Sequence, residues 1–155
     1  MTPPLPRASQ QTGSMLIEVL IALLIFSVGI LGIVGLQASA VKAMSDAKYR
    51  SEAALLANEL IGKMWVSDRT QATLQTAFAS PNGTAYLAWL GSASAKGTVL
   101  QTLPGAGVQA NPPTVTITPV VSTSLPSSLV TITIFWQAPN ETSSHNYVVV
   151  AQIGG

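Results

Sequence analysis

At 155 residues the chain is sized for one modest domain plus an appendage. The absence of cysteine excludes disulfides, thiolate metal sites and cysteine nucleophiles. A net charge of +1, with only 8% charged residues and no Lys/Arg cluster, argues against strong attraction to a phosphate backbone. The mean hydropathy of +0.43 is an average over two unlike parts: an apolar N-terminal stretch and a long remainder rich in Thr, Ser, Ala, Gly and Pro.

In chain order, Met1–Gly13 is polar and proline-rich, carries Arg7 as its single charge, and reads as a leader or tail without structure of its own. Between Val19 and Val41 there is no charged residue. At about 1.5 Å per residue, such a helix is roughly 35 Å long and spans a hydrocarbon core of about 30 Å. Glu18 stands at the head of this run. A carboxylate there is expensive unless paired or near the interface, so it is a functional candidate by default.

No helix breaker separates this run from "KAMSDAKYRSEAALLANELIGKMWVSD". There Ala53, Leu56, Ala57, Leu60, Ile61 and Met64 fall on one helical face, and Lys48, Glu52, Glu59 and Lys63 lie opposite, in pairs four apart. The pattern predicts one helix from about Ser14 to Val66. Its first half, residues 14–41, is apolar all round, and its second half, residues 42–66, is amphipathic. Residues 67–155 form the globular remainder.

"SPNGT" (Ser80–Thr84) signals a turn. Helical spacing runs roughly from Tyr86 through Trp89 and Leu90 to "LPGAG" (Leu103–Gly107), which stops it, while Gly91, Gly97 and the Thr98-Val99 pair weaken a helix within that stretch. "TVTIT" (114–118), "LVTITIFWQ" (129–137) and "NYVVVAQI" (146–153) read as strands, with Val130, Ile132, Ile134 and Trp136 on one face. Prolines punctuate them, which predicts short strands, some at sheet edges. The class expected is α+β: a long N-terminal helix packed on a small antiparallel sheet.

The sequence offers little chemistry. His145, the only histidine, is expected to be a solvated loop residue, and Trp65, Trp89 and Trp136 are expected in the core. No Gly-x-Ser-x-Gly elbow, metal-ligand spacing or phosphate-cradling glycine loop occurs. The expectation is a non-enzyme with no catalytic residue, metal or cofactor.

Gly13, Glu18 and the apolar helix behind them resemble a type IV prepilin. More narrowly, "SMLIEVLIALLIFSVGILGIVGLQ", "YRSEAALLANELIGKM", "LPGA" and "VTITIFWQ" resemble the minor pilins called type IV pilus modification proteins, the PilV type. The resemblance implies a pilin-like fold and cleavage between Gly13 and Ser14 by a prepilin peptidase, which also methylates the Ser14 amine. It further implies that Glu18 pairs with the N-terminal amine of a neighbouring subunit during assembly. An unpaired charge in an apolar bundle is costly, whereas a paired one is tolerated.

The partners implied are other major and minor pilins, the peptidase/methylase and the inner-membrane assembly machinery, with no nucleic acid. The location implied is the bacterial inner membrane before assembly and the pilus afterwards, in a tip or priming complex that supports motility and adhesion. The chain departs from the family in three places. Ser14 stands where phenylalanine is commonest, the paired cysteines of many pilins are missing, and no proline interrupts the apolar helix. Gly29, Gly32 and Gly35 each reduce helix propensity by about 1 kcal/mol relative to Ala, and are expected to loosen the helix during assembly in the proline's place.

Rival readings share parts of this pattern. A minor pseudopilin of a type II secretion system has the same N-terminal logic. A secretory signal peptide could use Arg7 and "ASA" (Ala38–Ala40), but its apolar region is shorter and lacks a Glu18. A plain anchor has no reason to keep that carboxylate. A DNA-uptake pilin would show a basic stripe, yet Lys96 is the sole Lys or Arg after Arg69. Lys42, Lys48 and Arg50 follow the span against Arg7 before it, the reverse of what the positive-inside rule favours for an exported domain. Longer domains translocate largely regardless of such charges, and the prepilin pattern takes precedence here.

Overall fold

The computed structural model describes residues 12–108, 111–120, 126–139 and 141–154. The expected leader therefore lies outside the described residues up to residue 11. Among the described residues seven elements follow one another. The helices are α1 (Thr12–Val66), α2 (Gln71–Phe78), α3 (Thr84–Leu90) and α4 (Val99–Thr102), and the strands are β1 (Thr114–Val120), β2 (Ser127–Trp136) and β3 (His145–Gly154). The chain divides into two compact units, residues 1–43 and 44–155. The α+β class and the long helix agree with the sequence reading.

In the first unit every described side chain from Ser14 onward is exposed. The large apolar side chains between Met15 and Val41 keep between 45% and 73% of their surface. A helix apolar on all sides is stable only inside a core or a bilayer, and this one is long and apolar enough to cross a membrane. The hydroxyl of Ser27 is satisfied within the helix, its Oγ donating to the Leu23 carbonyl at 2.6 Å. Lipid demands this of every polar group it surrounds.

The second unit is built on a three-stranded antiparallel meander in the order β1-β2-β3. Strict alternation turns Val115 and Ile117 of β1, Val130, Ile132, Ile134 and Trp136 of β2, and Ile153 of β3 inward. They share one core with Ala53, Leu56, Ala57, Leu60 and Met64 of α1. The small residues Ala53 and Ala57 alternate with Leu56 and Leu60, which brings the helix close to its neighbours. The opposite face of α1 carries the Glu59–Lys63 pair at 2.6 Å. Lys48 lies instead over the Tyr49 ring, 5.8 Å from its centroid.

The sequence reading of Tyr86–Leu103 as one helical segment is corrected. The chain leaves helical geometry at Gly91, whose φ of +66° suits glycine, and a Cβ there would clash with the Thr98 side chain. Thr98 Oγ1 donates to the Ala95 carbonyl at 2.6 Å and closes the turn before α4. Helix α2 was not foreseen. Its signal is Leu74 and Phe78, four apart and both buried, preceded by Asp68. That carboxylate accepts from the Thr70 N–H at 3.0 Å and from the Thr73 hydroxyl at 3.1 Å. These bonds, the backbone one foremost, hold the Asp68 carboxyl below its ordinary range.

Two buried side chains lock α3 in place. Trp89 Nε1 donates to the Leu56 carbonyl on α1 at 2.9 Å, and the Tyr86 hydroxyl donates to the Pro113 carbonyl at 2.7 Å. Burial raises the Tyr86 phenol above its ordinary value. Replacing Tyr86 by phenylalanine leaves a buried carbonyl unpaired and is expected to destabilise the unit by about 1–3 kcal/mol. A folded-state pKa raised above the unfolded one contributes stability that is complete below about pH 10 and lost as pH rises further. The gap between wild type and Tyr86→Phe in urea midpoint is therefore expected to hold at neutral pH and shrink above pH ~10. A gap that stays constant at alkaline pH would contradict this account.

Candidate functional site

Gly13 and Ser14 occupy the first turns of α1, and Glu18 follows one turn after Ser14. Ser14, Glu18, Ile21 and Ile25 share one side of the helix at helical spacing. Glu18 is exposed and makes no ion pair with another described residue. The candidate site is thus a single carboxylate on an apolar surface, one turn from the expected new terminus. That arrangement performs no bond chemistry by itself, but it offers a strong electrostatic contact to a positively charged group brought to the same face.

Gly29, Gly32 and Gly35 lie farther along the same element, inside an unbroken helix, with open space where a Cβ would stand. In the single chain they are helical, and their expected loosening concerns assembly.

A second cluster lies in the other unit, where the sequence reading of His145 as a solvated loop residue is corrected. His145 opens β3, stacks on Trp136 with the rings 5.8 Å apart and 15° from parallel, and is half-buried. Its Nε2 lies 2.7 Å from Glu141 Oε2 and its Nδ1 3.3 Å from Asp46 Oδ1 on α1. Each ring nitrogen faces a different carboxylate, so no point is shared by three ligands, and no metal-holding group of His, Asp and Glu occurs among the described residues. A neutral imidazole can donate to only one of the two carboxylates, and the imidazolium can donate to both. The cluster joins α1 to the start of β3.

The LPGA stretch has a structural role. Gly105, at φ +71°, turns the chain so that the Pro104 carbonyl accepts from the Gln137 N–H at 2.9 Å, just past the end of β2. Leu103 and Ala106 on either side are buried. Trp65 is another correction. It is 45% exposed, with the Arg69 guanidinium 5.9 Å from its ring, because it sits on the side of α1 away from the Leu60–Met64 face. Trp89 and Trp136 are buried as expected.

Comparison with family models, with curated proteins and with solved structures yields no match to this chain.

Proposed function

We propose that this chain is a prepilin that matures into a minor subunit of a type IV pilus and acts by binding other pilins. The observation that carries the reading is the order of features along α1: Gly13-Ser14, then Glu18, then an apolar half exposed on every side, then an amphipathic half seated in the core of a small antiparallel sheet. Each feature has a separate use on this reading. Gly13 and Ser14 form the cleavage site, the Ser14 amine receives the methyl group, Glu18 meets the amine of a neighbouring subunit, and the apolar half serves first as membrane anchor and then as filament core. Unit 2 supplies the surface displayed on the filament.

The test is the intact mass and N-terminal sequence of the chain recovered from its native membrane. A chain that begins at Ser14 with one added methyl is expected. One beginning near Val41 would mean an ordinary exported protein and would end the proposal. For processed protein, loss of twitching and adhesion in a deletion strain is expected; loss of an exported enzyme instead would place the chain in a type II secretion system. In a filament reconstruction, the backbone between Gly29 and Gly35 is expected to be partly unwound, and an intact helix there would remove the glycines from the account.

A further inference from the structure

The two edges of the sheet are treated differently. On β1 most of the outward backbone groups are occupied or absent. Val115 donates its N–H to Ser80 Oγ at 3.0 Å and accepts from the Ser80 N–H at 3.1 Å. The Ile117 carbonyl accepts from Gln75 Nε2 at 3.0 Å, and Pro119 has no N–H to offer. The outward side of β1 is thus Val115, Ile117 and Pro119. Backbone direction alternates along an antiparallel ladder, and the register runs without a bulge from β1 through β2 to β3. The outward groups of β3 are therefore those of Asn146, Val148, Val150 and Gln152. Among the described residues none of these backbone groups has a partner outside the sheet. Proteins usually guard a long edge with charge, proline or a covering segment. Between Asn146 and Gly154 β3 has neither charge nor proline, and Val148 and Val150 are 51% and 56% exposed.

We propose that this edge pairs with a second copy of the chain. The two β3 strands run antiparallel about a two-fold axis at Val149, and the sheets merge in the order β1-β2-β3-β3-β2-β1. The occupant follows from the strand's own sequence. Only outward residues can exchange hydrogen bonds across the edge, which restricts the register. Centring on Val149 sets Val148 against Val150 of the second copy, and Asn146 against Gln152 of the second copy. The first is a pair of β-branched residues, which suit a pleated surface, and the second a pair of amides able to hydrogen-bond to each other. Gln152 Nε2 is already engaged by Ser127 Oγ, which leaves its carbonyl oxygen for the Asn146 amide. On the other face, bulky Tyr147 meets small Ala151. With no charge from Asn146 to Gly154, two copies meet along these residues without like-charge repulsion. A symmetric junction of this kind is isologous and closes at two subunits. The inference stands apart from the pilin reading and holds or fails without it.

The chain has no cysteine, so single-cysteine variants of the full-length protein in detergent micelles report the contact directly. In the proposed register the two Val149 positions form a non-hydrogen-bonded pair about 4.5 Å apart, within disulfide reach. Val148 and Val150 each face the other's position, and their own copies lie beyond the limit of about 7 Å. Mild oxidation is expected to cross-link Val149→Cys at least about tenfold more than Val148→Cys or Val150→Cys. Within the Val149→Cys background, Val148→Lys with Val150→Lys opposes like charges across the axis and is expected to abolish the cross-link. Val148→Lys with Val150→Glu pairs opposite charges and is expected to keep it. Both substituted positions are exposed, so the unit's own core is left alone. Equal cross-linking at all three cysteine positions would mean collision through the apolar helix and would overturn the proposal. So would the absence of a Val149→Cys dimer, which would leave the edge to a strand from a different protein.

Discussion

Replacement of Trp89 by alanine is expected to lower the stability of unit 2 by about 3–5 kcal/mol, a large part of the roughly 5–15 kcal/mol that holds a domain folded. Trp89 is 2% exposed, packs against Tyr86 with the rings 6.0 Å apart, and ties α3 to α1 through its bond to the Leu56 carbonyl. The alanine variant loses apolar contact, leaves a cavity and breaks that tie together. At a urea slope of about 2 kcal/mol per molar, the midpoint should fall by about 2 M. Trp89→Phe keeps one aromatic ring but removes the donor together with the second ring of the indole, so an intermediate loss of about 1–3 kcal/mol is expected. A midpoint unchanged in the alanine variant would mean that α3 does not brace α1.

Glu18→Ala is expected to leave the subunit inserted and processed but absent from filaments. On the reading proposed above, the Ser14 amine enters an apolar bundle and needs a carboxylate partner. Removing one member of a buried ion pair costs about 3–5 kcal/mol, which corresponds to at least about a hundredfold loss of incorporation. The measurement compares the subunit in sheared filaments with the subunit in membranes. Glu18→Asp retains the charge with one methylene less and should recover part of the incorporation, whereas Glu18→Gln should not. Normal incorporation of the alanine variant would show that Glu18 has another purpose.

Much of this architecture is written as local periodicity. The apolar run behind Glu18 and the spacing of Ala53, Leu56, Leu60 and Met64 place α1 to within two residues at its start and at Val66 where it ends. The period-two pattern of "LVTITIFWQ" places the buried face of β2. Gly91 and Gly97 weaken a helix there by propensity, but the position of the break was not legible, because the neighbours of Gly91 keep helical spacing on either side. What ends α3 there is a positive φ and the close approach of Thr98, neither of which propensity or spacing records.

The sequence by itself determined that a carboxylate heads an apolar helix, that the helix becomes one-sided after it, and that three strands follow, two of them strictly alternating. Each of these depends on neighbours within a turn or a pleat. Only the tertiary structure decided that Trp65 faces solvent while Trp89 and Trp136 do not, that His145 sits between Asp46 and Glu141, and that Ser80 and Gln75 guard β1 while β3 stays open. Periodicity states which residues share a face. What covers that face, and which backbone groups find partners across dozens of residues, is settled only when distant segments pack together.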